Sequence, residues 1–75
     1  MIEFIIEKQI NDKNILVFKD TNTNFIFNRI QNNNSIIWQC FDSYSWKTYE
    51  DYEYIENIIY KPYIIEQRKK KIDSI

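Results

Sequence analysis

Glycine, alanine and histidine are absent from the chain, and cysteine and proline occur once each, as Cys40 and Pro62. Each absence removes a class of chemistry or structure. A structural zinc site needs three or four ligands at fixed spacing, and one thiol without histidine cannot assemble it. The side chain best suited to proton transfer at neutral pH is missing as well, so general acid-base work would rest on carboxylates, tyrosines and lysines alone. Cys40 likewise has no histidine to activate it as a nucleophile. These absences lead to the expectation of a protein that is not an enzyme and folds without metal or cofactor. A single cysteine also forbids an intramolecular disulfide, whereas small secreted domains are usually stapled by several. At the start of the chain Glu3 and Glu7 stand where a signal peptide would be apolar, with no basic run before them. The longest aliphatic or aromatic run, Ile15, Leu16, Val17 and Phe18, falls far short of the ~20 residues a membrane-spanning helix needs. The expected location is the cytoplasm, with no membrane partner.

What is present belongs to a folding chain. Hydrophobic residues make up 44%, aromatics 17% and charged residues 28% of the 75 positions, a globular composition in a length that allows one small domain. Isoleucine (16), asparagine (9), lysine (8) and tyrosine (6) dominate. All four have A/T-rich codons, while the missing glycine and alanine have G/C-rich ones, so much of this bias is what an AT-rich genome allows. Phages and mobile elements are among the sources that fit. The net charge is −1, which supplies neither a global polycation for nucleic acid nor a polyanion that mimics it. The charges are nevertheless sorted. Residues 42–60 carry five acids against Lys47, and residues 61–75 carry five bases against Glu66 and Asp73.

Apolar residues Ile2, Phe4, Ile6 and Ile10 alternate with Glu3, Glu7 and Gln9, the period-2 pattern of a half-buried strand, blurred only at Ile5. Polar clusters at residues 11–14, 20–24 and 32–35 then separate three further apolar runs, around residues 15–19, 25–31 and 36–41. Four antiparallel strands in a meander are expected within residues 1–41. With no glycine available, turn positions of positive φ fall to Asn or Asp. After Phe41 the period changes. Thr48 with Asp51 reads as a variant of the capping box, and Tyr52, Ile55, Ile58 and Ile59 form one helical stripe, which predicts a helix over about residues 49–60. Pro62 ends or kinks it, and the basic tail, residues 61–75, continues as helix or as an extended segment. The expected fold class is α+β, a four-stranded antiparallel meander with a C-terminal helix over one face. The other face would carry apolar residues such as Ile5, Leu16 or Val17, and Phe41. The tail or a second copy of the chain would have to cover it, which makes a homodimer one expected assembly.

Three surfaces stand out. Glu50, Glu53, Asn57 and Tyr60 fall in one helical row opposite Ile55 and Ile59, flanked by Tyr49 and Tyr54, an acid-and-tyrosine face for a protein partner. Arg68, Lys69, Lys70 and Lys71 form a basic run that would add salt-dependent contacts to the phosphates of a nucleic acid. Trp38 is expected in the core and Trp46 at the strand-helix junction. Facing outward with Phe25 and Phe27, Trp38 would instead make a stacking platform for bases. Cys40, on one strand face with Ile36 and Trp38, reads as a structural thiol.

The run Phe25, Ile26, Phe27, Asn28, Arg29, a polar turn, and then Ile36, Ile37, Trp38, Gln39, Cys40 resembles the central hairpin of FLYWCH-type zinc fingers. It covers about a fifth of the chain, and it implies a small antiparallel sheet that binds DNA or protein. The family's second cysteine and two histidines have no counterpart here, so its metal site cannot form. The favoured function is a non-enzymatic protein-binding module, an inhibitor of the kind phages and mobile elements encode, docking on a larger protein. The alternative is a small nucleic-acid-binding domain that uses the aromatic strands and the basic tail.

Overall fold

The computed structural model describes the backbone of residues 1–73 and the side chains of residues 1–70. Among the described residues the sheet has five strands: β1 (Ile2–Ile10), β2 (Lys13–Asp20), β3 (Ile26–Asn32), β4 (Ser35–Phe41) and β5 (Trp46–Thr48). They lie in chain order, each antiparallel to its neighbour. Two-residue loops, Asn11-Asp12 and Asn33-Asn34, join β1 to β2 and β3 to β4. Among the described residues those with positive φ are Asn11, Asn24, Asn33 and Ser43. Asparagine thus fills three of these four positions, because its short polar side chain tolerates the left-handed region.

The fifth strand corrects the expectation of four. Trp46, read as part of the strand-helix junction, pairs with Phe41, and Thr48, read as a helix cap, pairs with Gln39. A three-residue strand shows no period, so only its turn betrays it. Asp42 Oδ1 accepts from the backbone N–H groups of Tyr44 (3.1 Å) and Ser45 (3.2 Å), and its Oδ2 meets Lys47 Nζ at 3.0 Å.

A second correction concerns β1. The register slips between Phe4 and Ile6, leaving Ile5 as the extra residue of a β-bulge. Before the bulge Phe4 lies across from Phe18; after it Ile6 lies across from Val17 and Glu7 from Leu16. Inserting one residue into a period-2 element reverses its faces. Ile6 and Ile10 therefore leave the face that Phe4 occupies, and Leu16 and Val17 are divided between the two faces.

The helix starts at Tyr52 rather than at residue 49, because Asp51 is its cap: Asp51 Oδ1 accepts from the Tyr54 N–H at 3.2 Å. It comprises α1 (Tyr52–Ile55), a π-helical turn (Glu56–Tyr60) and α2 (Lys61–Asp73), so the helical form of the tail is the one adopted. In a regular α-helix the ring of Pro62 would collide with the carbonyl four residues before it. Immediately ahead of that proline the chain takes the wider turn instead, with the Lys61 N–H bonded to the Glu56 carbonyl. The wider turn also shifts the helix phase. Ile55 and Ile59 are buried as expected, but Tyr52 and Ile58 turn outward and Glu56 turns in.

The helix covers one face of the sheet. Leu16, Phe18, Trp38, Ile55 and Ile59 form the core, with Ile2, Phe27, Ile36, Tyr49, Tyr60 and Tyr63 packed around it. Tyr63 ties α2 to the sheet through an edge-on contact with Phe18 (centroids 5.4 Å apart) and a tilted one with Phe4 (4.7 Å). Burial against the sheet, with the negative charge of Glu7 secondary, holds the Tyr63 phenol above its usual pKa.

Candidate functional site

Strand parity decides what lies under the helix. On β3, Phe27, Arg29 and Gln31 share the helix-facing side, so a charged residue is carried into the core region beside Leu16 and Trp38. The helix answers it with Glu56, placed by the π turn. Arg29 Nε donates to Glu56 Oε1 at 3.1 Å, with side chains only 5% and 11% exposed. Arg29 Nη1 donates to Gln31 Oε1 at 3.0 Å, and the guanidinium carbon lies 3.6 Å from the centroid of the Tyr60 ring. A charge taken from water is tolerated only when paired and hydrogen-bonded, and here one fork meets a carboxylate, an amide and an aromatic face. Such a pair adds little net stability over an apolar equivalent. Its effect is positional: it locks Glu56, Tyr60 and the intervening turn to β3.

The locked pair forms the wall of a cleft of about 510 Å³ between helix and sheet, lined by Arg29, Tyr52, Glu53, Glu56, Asn57, Tyr60 and Lys61. The cleft is graded along the helix. Glu53 stands at its α1 end and Lys61 at its α2 end. Partial desolvation of the Tyr52 phenol, with the charge of Glu56 second, raises its pKa. With Glu56 committed to Arg29, Glu53 is the carboxylate exposed to meet a ligand, next to the amide of Asn57 and two tyrosines. This arrangement can bind, by hydrogen bonds, aromatic contact and one carboxylate. Among the described residues no group of three or more Cys, Asp and Glu side chains is placed to hold a metal ion.

The six residues expected on the acid-and-tyrosine face are divided. Glu53, Asn57 and Tyr60 come together in this cleft. Tyr49 and Glu50 line a second hollow, of about 450 Å³, on the other side of the helix start, with Phe25, Cys40 and Lys47. Tyr49 is partly buried against the core, and Tyr54 is exposed. The row expected to be fully exposed is so at Glu50, Glu53 and Asn57, but Tyr60 is partly covered by Arg29. Arg68, Lys69 and Lys70 are exposed on α2, and the side chain of Lys71 lies outside the described residues. The base-stacking platform does not form, because Trp38 is 1% exposed and packed on Phe18. Half-buried Cys40 faces Phe27 across the β3–β4 ladder, and desolvation, ahead of the nearby Asp42 charge, pushes its thiol pKa up.

Sequence reasoning missed Arg29 and Glu56. Both left a trace. Arg29 has the parity of Phe27, and Glu56 lies four residues from Tyr52 and three from Ile59, on the stripe read as apolar. A lone cation on a core-facing strand position and a lone anion on a core-facing helix position are a pairing signal.

Among the described residues no helix is long and apolar enough to cross a membrane. The chain matches no known protein family, no curated protein and no solved structure.

Proposed function

We propose that the chain is a non-enzymatic docking module that receives a basic segment of a larger protein in the Arg29–Glu56 cleft. The observation that carries this reading is that exposed Glu53 and Asn57 are held beside two tyrosines on a helix pinned to the sheet by a buried ion pair. A site set on rigid elements loses little entropy when it binds. The acid-rich stretch from Asp42 to Glu56 would steer a basic partner to it, an effect that fades with salt. A cytoplasmic inhibitor encoded by a phage or mobile element is the setting that the small size and AT-rich coding suggest.

Titration of the labelled protein with a short Lys/Arg-rich peptide and with its acidic counterpart tests the reading. Amide shifts confined to residues around Glu53, Asn57 and Tyr60, seen with the basic peptide and lost in Glu53→Lys, are expected. Equal response to both peptides, or shifts centred on Arg68, Lys69 and Lys70, would remove it. The nucleic-acid alternative keeps only the exposed basic residues of α2. Alanine at Arg68, Lys69, Lys70 and Lys71 should then abolish salt-sensitive binding to a mixed-sequence DNA or RNA probe; no binding by the unaltered chain at near-physiological salt disposes of that alternative.

A further inference from the structure

The face of the sheet turned away from the helix carries an apolar patch and is uncovered among the described residues. Its register places Ile6, Val17, Ile15, Ile30 and Ile37 in adjoining rows, with Ile26, Phe41 and Trp46 beside them. Ile6 is 45%, Ile37 47% and Trp46 48% exposed. Such a patch on a small chain marks an interaction surface.

Charge identifies what covers it. The ionic residues of this face, Glu3, Lys8, Lys13 and Lys19, all lie on β1 and β2. The half formed by β4 and β5 presents Ser35, Ile37, Gln39, Phe41, Trp46 and Thr48, none of them charged. Between the halves runs β3, the middle strand, and near its middle lies Asn28. An amide is both donor and acceptor, so asparagine complements itself.

We propose that two copies of the chain pack these faces together as an isologous dimer, with the two-fold axis running along β3. That axis lays the lysine-bearing β1–β2 half of each copy over the Phe41–Trp46 half of the other. Row by row this sets Lys19 over Phe41 and Glu3 over Trp46 of the other copy, so that the Lys19 stem covers apolar surface and its ammonium reaches an aromatic ring or the rim. An axis across the strands would instead stack lysine on lysine. The chosen axis also brings Asn28 against Asn28, a polar contact in an apolar interface of the kind that fixes register. Strands of nine, eight, seven, seven and three residues, about 4.8 Å apart and about 3.4 Å per residue, give a footprint of roughly 550 Å² per copy. Two such faces meet the ~1,000 Å² expected of a specific interface, and aligned sheets pack this way in sandwiches. The helix and its cleft remain on the outside of each copy, so the dimer stands independently of the docking reading.

Light scattering on the full chain at about 100 μM, well above the ~1 μM dissociation constant of a weak specific complex, should give the mass of two chains. Emission of Trp46 should shift to the blue as concentration rises, while Trp38, already buried, stays constant. Ile37→Glu places a charge in the contact and should weaken association about 100-fold or more. In the doubly substituted Asn28→Cys, Cys40→Ser chain, a short bismaleimide that spans the ~10 Å between packed sheets should yield a covalent dimer, because residue 28 faces its own copy. This holds the proposal to account even where Ile37→Glu fails to fold. A chain that stays monomeric, a dimer indifferent to Ile37→Glu, or a residue-28 cysteine that does not cross-link each overturns it.

Discussion

The two faces of the sheet are built from alternate residues of the same strands, yet they do different work. The helix-facing side carries Phe18, Leu16, Trp38 and the aromatic contacts of Phe4 and Tyr63, and it includes one ion pair that is buried and satisfied. The outer side carries isoleucine more than any other residue, interleaved with lysine and amides and joined at the β4–β5 edge by Phe41 and Trp46, and among the described residues no helix lies on it. Large rings fill a closed core because they bury the most area per residue and lock into contacts with one another. Branched aliphatics spaced by polar groups suit a face that must tolerate water until something covers it. Apolar content alone therefore does not separate the inside from the outside of this sheet; the spacing of polar and charged groups does.

Neighbouring residues on β2 test that contrast most severely. Phe18→Ala should cost about 3–5 kcal/mol, through lost burial and the cavity left behind, whereas Val17→Ala, on the outer face, should cost under about 1 kcal/mol in the isolated chain. Urea titration followed by circular dichroism reads both. Equal costs would mean that the two faces are not distinct.

The ion pair sharpens the comparison at the helix-facing side. Glu56→Leu leaves the Arg29 guanidinium buried without its carboxylate and should destabilise by about 3–5 kcal/mol. Adding Arg29→Met to it should recover much of that loss, since a buried pair often exchanges for apolar residues at little cost. A double-mutant cycle with no coupling would show that the two side chains act separately.

Smaller effects are expected at the sheet edge and on the helix surface. Lys47, and then the N–H groups of Ser45 and Tyr44, hold the Asp42 carboxyl below its ordinary value of 3.8. A depressed carboxylate contributes stability that is present above the unfolded value and lost as pH falls through the lowered folded value. Thermal midpoints of the unaltered chain and of Asp42→Asn should therefore differ at pH 7 and converge at strongly acid pH. Replacing Glu50 and Glu53 with lysine should change stability least, within about 0.5 kcal/mol each, because both are exposed. Loss of folding in that variant would contradict the exposure of the cleft's acid end.

Much of the architecture is legible in local patterns. The sheet-then-helix order, the asparagine turns and the burial of Trp38, Ile55 and Ile59 follow from period, turn chemistry and side-chain size. The candidate cleft is legible only by half. Glu53, Asn57 and Tyr60 follow from helical spacing, but their companions Arg29 and Glu56 lie 27 residues apart and recognise each other only once sheet and helix are in place. Tyr49 and Glu50 went to a different hollow because the helix starts three residues later than its spacing suggests, after a strand too short to show a period.

Short-range physics thus determined where most of the chain turns and which secondary structure its longer stretches adopt. Backbone preference and side-chain period act over a few neighbouring residues, and these residues express them in sequence. The tertiary structure alone decided the slip at Ile5, the pairing of Trp46 with Phe41 and the inward rotation of Glu56. Each settles a competition between distant groups for the same space, and packing a helix onto a twisted sheet admits one arrangement that leaves no buried charge unpaired.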